Sequence, residues 1–185
     1  MGKPLRALLN RDSFAEWLND NGLTGLGVEI GTFHGEYAEK LLATWQGQRL
    51  FCVDPWKWMD AAEYLDGCNV RECDEVYAKV VDTLGKNTRC TIYRERSTEA
   101  IGRFDDGALS FCYLDGNHDL SHVREDLQIW WPKIKQGGVL GGHDLYIRED
   151  EFQRCGVFDA VWEFAHQIDH RPHVTNCTSW WFVKT

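Results

Sequence analysis

The segment Val28-Glu29-Ile30-Gly31-Thr32-Phe33-His34-Gly35 carries an acid and two glycines in an E-x-G-x-x-x-G spacing. It follows a short apolar run, LGVEI over 26–30, and leads into Gly35 to Trp45, with Tyr37, Ala38, Leu41, Leu42 and Trp45 at helical spacing. At such a strand-to-helix turn, glycine lets the backbone come close to a bound group, and the exposed N–H groups can hold a carboxylate or phosphate. The spacing is not the G-x-G-x-x-G of dinucleotide sites. A carboxylate at Glu29 would repel a pyrophosphate and attract the ammonium of an amino-acid ligand. Asp54 ends the next strand-like run, RLFCVD over 49–54. An acid at a strand tip can accept two hydrogen bonds from a ribose diol. Alone it is as often a turn former, but Glu29 and Asp54 stand 25 residues apart across a single strand–helix–strand unit, and the pair reads as a binding feature.

A second set closes two later runs. Asp115 ends ALSFCYLD, 108–115, with His118 three residues on, and His143 and Asp144 end GGVLGGHD, 137–144. In an open parallel sheet such tips face one crevice. His118 or His143 can act as a general base, since imidazole titrates near neutral pH and a positioned base contributes roughly 10²–10⁴-fold in rate. Asp144 reads equally as a turn cap. His122, His166, His170 and His173 read as ordinary surface or core residues, and His34 as a backbone contact inside the glycine turn.

The elements that must position these residues follow from periodicity. Ser13 and Glu16 have capping-box spacing and open a helix that stops at Asn21-Gly22. Further helices are expected over Asp74–Leu84, Thr98–Arg103, Ser121–Trp131 and Val157–His170, with a short one near Met59–Leu65. Strands are expected over 90–94, 173–177 and 179–185 in addition to those above. Alternating strands and helices specify a parallel sheet covered on both faces. The last two strands are too closely joined to be parallel. The fold class is therefore α/β, a single Rossmann-like domain over residues 1–185 with a helical extension over 1–24. Its mostly parallel seven-stranded sheet ends in an antiparallel hairpin.

Composition limits the partners. The chain has 185 residues and a formal net charge of −9, which disfavours a nucleic-acid partner. The basic residues Arg89, Arg94, Arg96 and Arg103 are interrupted by acids and read as a solvated surface. No apolar run approaches the length of a membrane span, and the first residues lack the apolar stretch of a signal peptide, so a cytoplasmic location is expected. Of seven cysteines, Cys52, Cys112 and Cys177 lie in apolar runs and read as reduced, buried residues. Cys68 and Cys73 lack zinc-site spacing.

Over roughly residues 25–185 the chain resembles the class I S-adenosylmethionine-dependent methyltransferases. YLDGNHDLSHVREDLQIWWPKIKQGGVLGGHDLY, 113–146, resembles in particular the small-molecule and sugar O-methyltransferase-like subgroup, with its Asp-Gly-x-His segment and its Gly-Gly strand ending in acids or His-Asp. The resemblance implies a cofactor site in which Glu29, Gly31, Thr32, Phe33 and Gly35 hold the methionine end, Asp54 the ribose, and Ser97, with Arg96, the adenine. It places Asp115 beside the cofactor and Trp56 over the adenine face. It implies methyl transfer to a small-molecule acceptor, most simply at oxygen, with His118, His143 and Asp115 as catalytic residues. Some relatives bind a divalent metal through acids where this chain has Asp115, His143 and Asp144; His143 replaces one of them. Acceptor walls are expected in 55–72, with Trp56, Trp58 and Tyr64, and in 145–156, with Tyr146, Phe152 and Arg154. A homo-oligomer is left open. Nucleic-acid methylation lacks its Asp/Asn-Pro-Pro-aromatic motif, nicotinamide chemistry lacks its glycine spacing, and a non-catalytic module on the same fold is the reading from a different class.

Overall fold

The computed structural model describes residues 11–60, 71–146, 155–175 and 178–185. Seven strands form one sheet: β1 Leu26–Ile30, β2 Arg49–Val53, β3 Cys90–Tyr93, β4 Leu109–Leu114, β5 Ile134–Gly142, β6 His173–Val174 and β7 Trp180–Val183. Among the described residues, six α-helices accompany them: α1 Phe14–Asp20, α2 Glu36–Thr44, α3 Cys73–Leu84, α4 Ser97–Ala100, α5 Leu120–Trp130 and α6 Val157–Gln167. The sheet order is β3-β2-β1-β4-β5-β7-β6. Strands β1 to β5 are parallel to their neighbours within that group, and β7 runs antiparallel between β5 and β6. The last strand therefore inserts beside β5, and the strand before it takes the edge. The expected antiparallel pair is present, and its strands are shorter than the periodicity implied. The helix expected near Met59–Leu65 and residues Tyr64, Cys68, Phe152, Arg154 and Cys177 lie wholly or partly outside the described residues.

Burial explains why these segments settle as they do. Strand β4 is buried at all six positions, as expected of a central parallel strand, which reads as a continuous apolar run. One face of the sheet packs against α1, α2 and α3 through Phe14, Leu18, Leu41, Trp45, Val80 and Leu84. The other packs against α5 and α6 through Val123, Leu127, Trp130, Val161 and Phe164. Trp45, Trp130 and Trp180 are fully enclosed, so much of the unusual tryptophan content is core. Ser13 does precede α1, but its side chain makes no capping hydrogen bond. Arg89 is not a solvated surface residue. Its guanidinium donates to the carbonyls of Leu42, Trp45 and Gly47 and so satisfies the carboxyl end of α2. Arg94 and Arg103 do pair with neighbouring acids, Asp74 and Glu95.

The strand tips meet most tightly at Gly31. Its φ is +86°, and a Cβ there would lie 2.2 Å from the Asp115 carbonyl oxygen and 2.5 Å from Gly116 Cα. The glycine is thus required by the junction of β1 with β4, not only by the approach of a ligand. Gly31→Ala should cost about 2–5 kcal/mol, combining left-handed strain with a backbone clash. Gly102→Ala, where an added Cβ meets nothing within 4 Å, should stay within roughly 0.5 kcal/mol. Urea denaturation of both variants checks this; equal stability would show that the strand tips can shift apart.

Candidate active site

A cavity of about 490 Å³ opens at the carboxyl ends of β1, β2, β3, β4 and β5. This is where an open parallel sheet binds ligands. Glu29, Gly31, Thr32, Phe33, Asp54, Trp56, Ser97, Asp115, His118 and Asp144 all line it, so residues read as two separate sets converge on one chamber. Arg96 lines it as well.

At the glycine turn, Glu29 is 1% exposed and accepts a hydrogen bond from the Thr32 hydroxyl at 2.9 Å. Removal from water pushes its carboxyl up to about 8, because burial penalises the charged form. Gly35 takes a left-handed φ of +84° and starts α2. Phe33 is left-handed too, at +46°, and its N–H donates to Asp54 at 2.9 Å. The other Asp54 oxygen accepts the N–H of Trp56 at 2.7 Å. Asp54 therefore ties the glycine turn to the loop after β2. Each of its oxygens keeps a second lone pair, which leaves it able to accept from a diol. Burial raises its carboxyl from the ordinary value.

Trp56, expected over an adenine face, has a different task. Its indole is 3% exposed, donates to the Phe33 carbonyl at 2.8 Å and packs against Tyr77. It clamps the glycine turn and has no open ring face for a base. Ser97 is similarly engaged through its side chain. Its hydroxyl donates to Asp126 at 2.5 Å and accepts from the Trp130 indole at 2.6 Å, so its one proton is committed and only its backbone and a remaining lone pair are open to a ligand.

At the tips of β4 and β5, Asp115, His118 and Asp144 each offer a ligand atom within 4.8 Å of the others. His118 Nε2 lies 3.3 Å from Asp144 Oδ2 and 3.8 Å from Asp115 Oδ1. Asp144 holds this position with a left-handed φ of +58°. His143 is not the third member of the cluster, contrary to expectation. Its ring is not part of the cavity lining; Nδ1 meets Asp144 Oδ1 at 3.1 Å and Nε2 meets the Thr178 hydroxyl at 3.3 Å. Asp144 thus stands between two imidazoles, with His118 on the cavity side. Asn117 accepts the Asp119 N–H at 2.9 Å and shapes the loop.

The chain matches the family model described as a methyltransferase domain over residues 28–145. The chain belongs to this methyltransferase family. Among curated proteins it is similar to a Sinorhizobium fredii protein described as uncharacterized protein y4gI, at 25% identity over 170 residues. That alignment takes in 89% of this chain and 17% of the relative, so the chain spans about a sixth of the relative's length. Among solved structures it resembles a Staphylococcus aureus protein assigned as a caffeoyl-CoA O-methyltransferase, with a TM-score of 0.69 at 13% identity, covering 95% of this chain and 82% of that one. It also resembles the O-methyltransferase TomG of Streptomyces achromogenes, solved with S-adenosylmethionine, with a TM-score of 0.62 at 15% identity, covering 95% and 79%. At these identities the likeness is one of fold, and the fold is the Rossmann-like methyltransferase arrangement. No helix among the described residues is long and apolar enough to cross a membrane.

Asp126, Tyr37, His122 and Arg11 also line the cavity and were not singled out as site residues. Asp126 had a legible signal. It lies three residues after Val123 and four before Trp130, an acid on the buried face of α5. Desolvation pushes its carboxyl up to about 7. Tyr37 and Arg11 had none, because a helix position and an N-terminal arginine carry no address. Glu29 and Asp126 together set a pH dependence. Both bind a proton more tightly folded than unfolded, so their contribution is complete below about pH 4 and is lost as pH rises toward 7–8. The exposed acids Asp12, Glu95 and Glu163 shift downward and act below that window. Stability should therefore fall between about pH 5 and pH 8 in this window, and Glu29→Gln and Asp126→Asn should each flatten the fall. Urea midpoints across that range test it; wild-type and variant slopes that coincide would refute it.

Proposed function

We propose that the chain transfers the methyl group of S-adenosylmethionine to an oxygen nucleophile of a small-molecule acceptor. The observation that carries this reading is the convergence of Glu29, Asp54 and His118 on one cavity. A carboxyl beside the glycine turn suits the amino-acid end of the cofactor. The carboxylate at the tip of β2 suits the ribose, and the Ser97 backbone suits the adenine. His118, with Asp144 beside its ring, is placed to take the acceptor's proton. Transfer from a sulfonium needs alignment more than activation, and holding two reactants in line supplies several kcal/mol. The net charge of −9 supports a small acceptor over a nucleic acid.

Asp115, His118 and Asp144 also fit a divalent cation after a small contraction, and one imidazole with two carboxylates suits a transition metal. Such an ion would acidify and orient the acceptor hydroxyl. The residues' own work is the same in either case: they present donor atoms to the acceptor end of the cavity and keep the proton's destination within it.

Calorimetric titration with S-adenosylmethionine and S-adenosylhomocysteine tests the cofactor. Wild-type protein should bind both, and Glu29→Gln and Asp54→Asn should each lose about ten-fold or more. Absence of binding to a folded sample overturns the reading in favour of a non-catalytic module. His118→Ala should keep cofactor affinity and lose roughly 10²-fold or more in turnover, with His143→Ala losing less. Turnover abolished by a chelator and restored by a cation would assign the cluster as a metal site.

A further inference from the structure

Among the described residues, Arg11 is the one Lys or Arg of the cavity wall on the side of the glycine turn. Arg11, in the 3-10 turn Arg11–Ser13 ahead of α1, lines the cavity together with Glu29 and Tyr37. The other Lys and Arg residues of the wall, Lys57 and Arg96, belong to the loops after β2 and β3, at the nucleoside end.

Arg11 is held in a prepared place. Its guanidinium carbon sits 3.9 Å from the centre of the Tyr37 ring and 5.6 Å from that of Tyr113, and the two rings pack at 4.7 Å. The Tyr37 hydroxyl donates to the Arg11 carbonyl at 3.3 Å. Phe14, three residues on, packs against Phe111 and Tyr113 and anchors the turn. A guanidinium laid on an aromatic face keeps its plane and its fork of donors fixed. Of five N–H donors, one bonds Asp115 Oδ2 at 2.5 Å, and the buried Nε has no partner. The other Asp115 oxygen faces His118.

Glu29 and Asp115 both border this corner of the cavity. They suit the ammonium of an amino-acid ligand, and among the described residues Arg11 is the cation of this corner that can meet its carboxylate. A planar fork with unused donors is the side chain that pairs with a carboxylate in two parallel bonds. Resting on the cofactor reading above, we propose that Arg11 binds the carboxylate of the cofactor's methionyl end, and that the chain thereby selects the intact amino-acid cofactor over one lacking that group.

The test compares S-adenosylhomocysteine with its decarboxylated analogue, which keeps the amine and lacks the carboxylate, by calorimetric titration of wild type, Arg11→Gln and Arg11→Lys. Wild type should prefer S-adenosylhomocysteine by about ten-fold or more. Arg11→Gln should lose about 10–100-fold in affinity for S-adenosylhomocysteine and less than about twofold for the analogue. Arg11→Lys, with charge but no fork, should fall between the two. Melting curves establish that each variant is folded, and should Arg11→Gln fail to fold, Arg11→Lys and the wild-type preference decide. Equal losses for both ligands in a folded variant, or no preference in wild type, overturn the role of Arg11 while leaving the cofactor reading intact. Wild type that binds neither ligand overturns both.

Discussion

Between β1 and β4 the sheet has no room for a side chain at residue 31. The Asp115 carbonyl oxygen occupies the place that a Cβ would take, and the Asp115 N–H donates to the Ile30 carbonyl at 2.8 Å. This contact brings the glycine turn against the tip of β4, and much of the site follows from it. Glu29 is carried beneath the turn, Asp115 is turned toward the cavity, and His118 is delivered three residues later to face Asp144. Asp54 then ties the turn to β2 through the Phe33 and Trp56 amides. Three non-glycine residues at these tips, Phe33, Trp56 and Asp144, adopt left-handed backbone, at a cost of roughly 1–3 kcal/mol each. Strain collected at strand ends, with a regular core beneath, is the pattern expected where a fold is shaped around a ligand.

The cavity is acidic, and its charge is managed by different means at its two ends. At the glycine turn, Glu29 is desolvated and Asp115 is neutralised by Arg11. At the far end, Asp126 is desolvated and hydrogen-bonded by Ser97, which is itself bonded by Trp130. Ionised carboxylates without partners would destabilise such a site. The raised proton affinity of Glu29 and Asp126 and the pairing of Asp115 limit that cost, and the three carboxyl groups remain acceptors for a ligand that brings its own positive charge. The tryptophans serve this arrangement indirectly. Trp56 holds the glycine turn and Trp130 holds Ser97, each by one indole N–H from a buried ring.

Sequence patterns resolved what depends on neighbours along the chain. Periodicity placed every strand of the parallel sheet to within a few residues, because apolar runs and amphipathic helices report which face is buried. The E-x-G-x-x-x-G turn and the acids at strand tips were legible because parallel strands all deliver their carboxyl ends to one edge. Tertiary structure decided what depends on direction. Which of His118 and His143 enters the cavity is decided by the loops after β4 and β5: His118 lines it, and the ring of His143 goes to Asp144 and Thr178. Trp56 and Ser97 line the cavity, but their side chains are engaged by partners 23 and 29 residues distant in sequence. Arg11 reaches Asp115 across 104 residues, and no local pattern encodes a contact of that span. The sequence by itself therefore determined the sheet, the turn and the edge at which chemistry can occur. Packing across the sheet decided which side chains face the cavity, because that choice rests on contacts between segments that only the folded chain brings together.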